Sequence, residues 1–293
     1  MNTAADGPKL VTTGRARLAA ELRRLRDLSG MSGRDLARRI GISQSKVSRI
    51  EAGNTIPSLP EVLAWSEALD APDEAREWLI SLTSAAHTEI DPWISALQGR
   101  AHLQHDIRDR EALALKVRTF QPSVVPGLLQ TADYARRVFT MFQPPYSRED
   151  IAAAVAARLD RQPSMYEEGK RFDFLVTEAA LRWRPGPPRL QLAQLDRIAS
   201  ISTLENVSIG LIPLDQEAVT VTSHGFVIYD LPADELGSFV TVEMIHANVS
   251  INDPDSIGLY ETRWSLLRQM AVFDEDARKY LDELSRSIRP LIE

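Results

Sequence analysis

Apolar residues recur every three or four positions through the first part of the chain, the spacing of a helix with one buried face. Leu18, Leu22 and Leu25 form the first such stripe. Four more stretches follow, and they begin near residues 32, 43, 58 and 72. Five helices within about 75 residues predict a small all-α domain of ordinary size.

The second and third of these helices are separated by a short turn with clear end signals. Ser32 and Ser43 each precede a helix, where a hydroxyl accepts a hydrogen bond from an N–H of the first turn. Gly41 follows the second helix and Gly53 the third, the usual place for a left-handed residue. Two short helices joined by a tight turn are the layout of a helix-turn-helix, whose second helix lies in the major groove of DNA.

The third predicted helix has one apolar and one polar face. Val47 and Ile50 face inward. Its outward residues are small, polar or basic, and they are Gln44, Ser45, Lys46, Ser48 and Arg49. We expect this face to bind double-stranded DNA, because its polar residues occur together with the caps, apolar stripes and turn of a full helix-turn-helix. The alternative is that these residues only solvate a helical domain.

Beyond residue 86 the pattern changes, and a period of two appears among the helices. The predicted helices lie at 93–117, from within 125–135, and at 148–162, 189–204, 255–270 and 275–288. The predicted strands lie at 172–176, 207–212, 225–229 and 239–243. We therefore expect a disordered arm at 1–14, an all-α domain at 15–86 and a mixed α+β domain at 90–293.

The charge of the chain is divided unevenly along its length. The 293 residues carry 34 Lys and Arg against 41 Asp and Glu, a net charge of −7. Residues 1–52 hold eleven of the basic and five of the acidic residues, which leaves 23 against 36 for the remainder. The positive charge lies where a DNA-binding motif needs it, and the acidic part is expected to face away from the duplex.

The composition further limits the chemistry and the cellular location that we expect of this protein. The chain has no cysteine, which excludes disulfides, thiolate metal sites and thiol nucleophiles. The polar N-terminus lacks the apolar core of a signal peptide. The longest apolar stretch, at 151–159, is too short to span a membrane. We expect a cytoplasmic protein without a membrane partner.

These motifs resemble the helix-turn-helix family of the phage repressors and Cro, the XRE type. The matching residues are 22–26, 35–37, 41–45, 47–51 and Gly53. The resemblance implies a partly buried ion pair between Arg26 and Glu51, which ties the first helix to the third.

The same resemblance implies roles for the polar residues of the motif. Gln44, Ser45 and Arg49 would reach base edges, where Arg pairs with guanine and Gln with adenine. The residues that would touch phosphate at the start of the second helix are Ser32, Gly33 and Arg34. Lys46 and Asn54 would do either.

The second part resembles the effector-type domain of unknown function that follows a helix-turn-helix in many actinobacterial regulators. The run Val125–Thr131 carries most of this resemblance. Weaker matches lie at 121–122, 134–136, 158–162, 178–182, 194–195 and 239–243. The resemblance implies a small neighbouring partner protein that antagonises DNA binding, and some relatives are antitoxin-like. Residues 218–224 depart from the Gly/His-rich loop of relatives, so no ligand role is placed there.

Metal and catalytic chemistry are not expected. His102 and His105 have the i, i+3 spacing of a metal pair, with Asp109 four residues beyond, but a solvated helix face is the preferred interpretation. Glu243 and His246 are a weaker candidate for a metal pair. The sequence has neither a Gly-Xaa-Ser-Xaa-Gly elbow nor a Gly-rich phosphate loop. We expect no enzyme, no metal and no cofactor.

Two sets of residues in the second part are candidates for a ligand site. A carboxylate or phosphate ligand is favoured if four arginines converge, namely Arg158, Arg161, Arg182 and Arg184. Five aromatic residues line a pocket or pack in the core, with packing preferred: Trp183, Phe226, Tyr229, Phe239 and Trp264.

The resulting hypothesis is a sequence-specific transcriptional regulator that binds DNA as a homodimer and whose second domain senses a partner protein or a ligand. One alternative is an antitoxin-like protein that binds a small neighbouring partner and autoregulates its own operon. The other is a regulator that responds only to a small molecule.

Overall fold

The computed structural model describes residues 14–92, 111–143, 145–232, 238–245 and 247–291, without the side chains of 89–92. The chain divides into two compact units. The first contains residues up to Ile90 together with Ser250–Asp253, and the second contains Asp91–Val249 and the chain from Pro254 onward. Most of the predicted arm at 1–14 lies outside the described residues.

The first unit is helical, as the apolar periodicity predicts. Its helices are α1 (Gly14–Ser29), α2 (Gly33–Ile40), α3 (Gln44–Glu51), α4 (Leu59–Ala68) and α5 (Asp73–His87). The core contains Leu18 and Leu22 of α1, Leu36 of α2, Ile50 of α3 and Trp65 of α4, all at most 1% exposed. One stripe from each helix therefore builds a single apolar centre.

The second unit combines a mixed sheet with helices. Its strands are β2 (Lys116–Gln121), β3 (Arg171–Thr177), β4 (Val207–Ile212), β5 (Phe226–Asp230), β6 (Phe239–Glu243) and β7 (Ala247–Ile251), after β1 (Thr88–Pro92) at the division between the units. Its longer helices are α6 (Ala132–Phe139), α7 (Arg148–Leu159), α8 (Glu178–Arg182), α9 (Pro188–Ile201), α10 (Pro254–Gln269) and α11 (Asp274–Ile288). Short 3₁₀ turns lie at Gly127–Leu129, Gln162–Tyr166 and Arg289–Leu291.

The strands of this unit follow the order β7-β6-β5-β2-β3-β4. β2 pairs in parallel with β3, which pairs in parallel with β4. On its other side β2 pairs antiparallel with β5, which pairs antiparallel with β6. The register aligns Thr119, Val227 and Thr241 across three neighbouring strands, so these side chains share one face.

One helix prediction is wrong at its end. The segment 93–117 was expected to be helical, but β2 begins at Lys116, while residues 93–110 lie outside the described part. Strand β2 itself was not predicted. Arg118 is nine-tenths buried in this strand, and it is neutralised by ion pairs with Asp230 and Glu261.

Smaller differences concern helix ends and strands. The helix expected within 125–135 begins at Ala132, because Thr131 caps it and a 3₁₀ turn precedes it. The helix expected to reach 162 ends at Leu159. Strand β7 was not predicted. Among the described residues, no helix is long and apolar enough to cross a membrane.

Candidate nucleic-acid interface

Helices α2 and α3 begin and end where their capping residues stand. The Ser32 hydroxyl accepts from the Asp35 N–H at 3.2 Å, and the Ser43 hydroxyl accepts from the Lys46 N–H at 3.2 Å. Gly41 has a φ of 74°, a left-handed conformation that glycine adopts without steric cost because it has no Cβ. These local bonds determine the turn between the two helices.

The burial of α3 decides which of its faces meets solvent. Val47 and Ile50 are 2% and 1% exposed, so they hold the helix against the core. The opposite side presents exposed Gln44, Ser45, Ser48 and Arg49. Among the residues that the structure describes, the side chains of Gln44 and Arg49 have no hydrogen-bond or ion-pair partner. They are available to an external ligand.

An ion pair ties α1 to the C-terminal end of α3, as the family resemblance implies. Arg26 donates through Nε and Nη2 to the two carboxylate oxygens of Glu51, with 3.0 Å between Nη2 and Oε2. Its Nη1 also donates to the Met31 carbonyl at 3.0 Å. The hydrogen bond from Arg26 to Glu51 is the largest cause that raises the pKa of Arg26. The pair therefore fixes the end of α3 by charged, directional bonds.

Lys46 differs from its neighbours on α3, because its ammonium group is already engaged. It forms an ion pair with Glu61 of α4, and the same carboxylate accepts from the Ser58 N–H at 3.0 Å. Burial opposes ionisation of Glu61, but the bonds from Lys46 and Ser58 outweigh it and lower its pKa. Sequence reasoning missed Glu61, although Ser58 with an acid three residues later is a capping-box signal.

The residues expected at phosphate lie at the start of α2 and after α3. Ser32 and Arg34 are exposed there, and Gly33 is half-buried against Val47. Asn54 is exposed directly after Gly53, whose φ is also 74°. The structure thus places the predicted DNA-binding residues on α2, on α3 and just beyond α3, with Lys46 held by a neighbour.

The arginines of the second unit converge only in part. Arg158 and Arg161 line one cavity of this unit, whereas Arg182 and Arg184 are exposed and not among its lining residues. Arg161 forms an ion pair with buried Glu111. Sequence reasoning did not single out Glu111, since a lone acid fifty residues away carries no local signal.

The aromatic residues divide between packing and lining. Phe226 and Tyr229 line the cavity, and the Tyr229 ring also stacks on Phe239 with 4.7 Å between centroids. Trp264 is buried, and Trp183, although 38% exposed, packs its ring edge-to-face with that of Tyr134, with 6.3 Å between centroids. His102, His105, Asp109 and His246 lie outside the described residues. The part of the chain that the structure describes holds no group of three or more His, Cys, Asp or Glu residues suited to a metal ion.

Two family comparisons match this arrangement. Residues 17–79 match a helix-turn-helix domain, and residues 104–283 match a domain of unknown function, DUF5753. The chain belongs to the DUF5753 family. The expected order of a helix-turn-helix domain followed by an α+β domain of unknown function is confirmed.

The remaining comparisons add little. A search of curated proteins found no match. Among solved structures, the archaeal chromatin protein TrmBL2, whose structure is described as showing a novel mode of DNA binding, shares 13% identity. The match covers 86% of this chain and 92% of that chain, with a TM-score of 0.31. This score is too low to carry an argument about shape or function.

Proposed function

We propose that this chain is a sequence-specific transcriptional regulator of the phage-repressor type and that it places α3 in the major groove of DNA. The observation that carries the proposal is the outward face of α3. It presents Gln44 and Arg49, which are exposed and have no hydrogen-bond or ion-pair partner among the described residues. The opposite face of the helix is buried, and its end is tied by Arg26 and Glu51. A rigid helix with unpaired polar side chains suits direct base readout.

The individual roles follow from chemistry and position. The Arg49 guanidinium is suited to the O6 and N7 atoms of guanine, and the Gln44 amide to the N6 and N7 atoms of adenine. Ser45 and Ser48 supply shorter hydroxyls on the same face. Arg34 stands at the start of α2, where backbone N–H groups and the helix dipole favour a phosphate.

Lys46 and Glu61 are assigned a supporting role in this proposal. Their ion pair joins α3 to α4 and occupies the Lys46 ammonium. Lys46 therefore positions α3 against α4 rather than making a base contact of its own. Asn54, which follows the left-handed Gly53, is placed at the phosphate backbone.

The proposal includes the oligomeric state, the cellular location and the regulatory input of the protein. We expect a homodimer on a two-fold DNA site, with half-sites one helical turn apart, because helix-turn-helix dimers bind in this geometry. A regulator of this kind works in the cytoplasm, where bacterial DNA is found. The second unit supplies the regulatory input, through a small partner protein or a ligand. The antitoxin-like alternative assigns the partner as the main target and DNA binding as autoregulation.

The test is selection from a random-sequence duplex pool, followed by fluorescence anisotropy with the enriched duplex at two salt concentrations. Enrichment of a two-fold symmetric sequence, with affinity that falls steeply as salt rises, is the expected result. Binding without any enriched sequence would leave only a non-specific binder. No binding at all would overturn the assignment of α3 as a reading helix.

A further inference from the structure

Arg158 of α7 is a buried cation with few partners. Its side chain is nine-tenths buried, and its guanidinium carbon lies 4.2 Å from the centre of the Phe139 ring. Yet a single hydrogen bond, from Nη1 to the Gln130 Oε1 at 2.7 Å, joins the guanidinium to the described residues. Its Nε is buried without an acceptor. A guanidinium has five N–H bonds to donate, so most of this capacity is unused by the described part of the chain.

Arg161, one turn further along the chain, provides a contrast within the same cavity. Its guanidinium makes a two-pronged ion pair with the buried carboxylate of Glu111. The charge of Arg161 is therefore balanced, whereas no carboxylate contacts Arg158 among the described residues. Burial, followed by the like charge of Arg161, lowers the pKa of Arg158 to about 10, which leaves it cationic at neutral pH.

Arg158 lines a cavity of about 110 Å³ inside the second unit. The floor is formed by Thr119, Val227 and Thr241, which stand in register on β2, β5 and β6. Val125 and Leu128 form an apolar wall. Because a water molecule occupies about 30 Å³, the space suits an acid of a few carbon atoms and is below the usual size for a larger ligand.

The wall beside Arg158 is held in one conformation by side-chain amides. Gln130 donates through Nε2 to the Val125 carbonyl at 2.7 Å, and Gln194 donates to the Leu129 carbonyl at 2.7 Å. Gln162 donates to the Gln130 carbonyl at 2.7 Å. The run Val125–Thr131, which carries the family resemblance, is thus a braced cavity wall. Such bracing suits a preorganised binding site.

The charges around the cavity select the kind of ligand. The pair of Arg161 and Glu111 is neutral, and Glu243 lies exposed among the lining residues. With Arg158, Arg161, Glu111 and Glu243, the lining holds two cations and two carboxylates. The unused N–H groups of Arg158 can still bind a carboxylate, whereas a doubly charged phosphate would be repelled more strongly by Glu243. We infer that this cavity binds a small monocarboxylate, with its carboxylate on the Arg158 guanidinium and its short apolar chain against Val125 and Leu128.

The inference assigns a ligand class to the sensing role of the second unit. That regulatory role, unlike the binding itself, rests on the proposed function. Binding itself is measured without DNA, so its failure is distinguishable from a failure of DNA recognition. A carboxylate that binds but leaves DNA affinity unchanged would uphold the site and overturn only the sensing role.

The test uses the full chain and measures thermal unfolding and calorimetric binding with formate, acetate, propionate and isobutyrate. Isobutyramide serves as the uncharged match for isobutyrate, and inorganic phosphate as the competing anion. The variants are Arg158→Met, Arg158→Lys and, as a control outside the cavity, Arg136→Met, whose side chain is exposed and pairs with Asp133.

We expect at least one carboxylate to raise the melting temperature of the parent and of Arg136→Met in a dose-dependent way, and isobutyramide to have no effect. Both Arg158 variants are expected to bind at least about tenfold more weakly, because they lose the two-pronged, charge-assisted bond. Equal binding by the parent and Arg158→Lys, a response to phosphate alone, or no response to any of the four acids would overturn the inference.

Discussion

In the first unit Arg34 and Arg49 are exposed and Arg26 is half-buried, whereas in the second unit Arg118, Arg158 and Arg161 are each at least nine-tenths buried. The first unit has an apolar centre, and the polar side chains of α3 face outward. The second unit carries charged groups among its strands and helices, where each needs a partner. The comparison teaches that the two units offer different binding surfaces: an exposed helix face in one and an interior cavity in the other.

The largest expected effect comes from breaking the buried pair of the second unit. Arg161→Met leaves the Glu111 carboxylate buried without its ion-pair partner, so the free energy of unfolding should fall by about 3–5 kcal/mol. Chemical denaturation followed by circular dichroism measures this. The matched control is Arg158→Met, which strands no carboxylate and should cost about 1–3 kcal/mol, for the lost charge-assisted bond to Gln130. Equal losses in the two variants would contradict the distinction between these arginines.

A smaller effect is expected from the half-buried pair of the first unit. Arg26→Met removes the partner of Glu51 and should lower the free energy of unfolding by about 1.5–3 kcal/mol, since bonds between charged groups are involved. A double-mutant cycle with Glu51→Gln isolates the coupling of the two side chains. A loss as large as that of Arg161→Met would show that the contrast between the two interiors is wrong.

The exposed face is expected to affect DNA and leave stability unchanged. Arg49→Ala should cost about 1–3 kcal/mol in binding to the selected duplex and relax the preference at one base pair. Arg34→Ala should weaken binding evenly across sequences and reduce the salt slope. Anisotropy with matched and mismatched duplexes measures both. If both variants bind like the parent, the DNA face is elsewhere.

The smallest effect is a pH dependence at the join between α3 and α4. The pKa of Glu61 in the folded chain lies below its ordinary value near 4.5. Its contribution to stability is therefore complete above that value and is lost as pH falls through the folded pKa. In denaturation between pH 6 and pH 3, Glu61→Gln should show a shallower loss of stability than the parent. Parallel curves for the two proteins would contradict this assignment.

Prediction from the sequence succeeded where structure depends on near neighbours. Ser32 and Ser43 cap the helices that they precede, and Gly41 is left-handed as expected. These features depend on hydrogen bonds within a few residues, which the sequence displays directly. The strands at β3, β4, β5 and β6 were predicted because their apolar runs are strong.

Prediction failed where charge is buried by distant partners. Strand β2 was not predicted, and the partners of its buried Arg118, Asp230 and Glu261, are more than one hundred residues away. Lys46 was assigned to DNA, and its bond to Glu61 of the next helix was not foreseen. Glu111 could not be paired with Arg161 from spacing alone. In each case the partner lies on a separate element, so the pairing cannot be predicted from the neighbouring sequence.

The sequence by itself determined the helix-turn-helix, its caps, the outward face of α3 and the order of an all-α region before an α+β region, because these follow from periodicity and short-range hydrogen bonds. The tertiary structure decided which arginines are buried, which have a carboxylate and which line the cavity. Those outcomes depend on strand order and on helix packing, which bring together residues that are tens to more than one hundred positions apart.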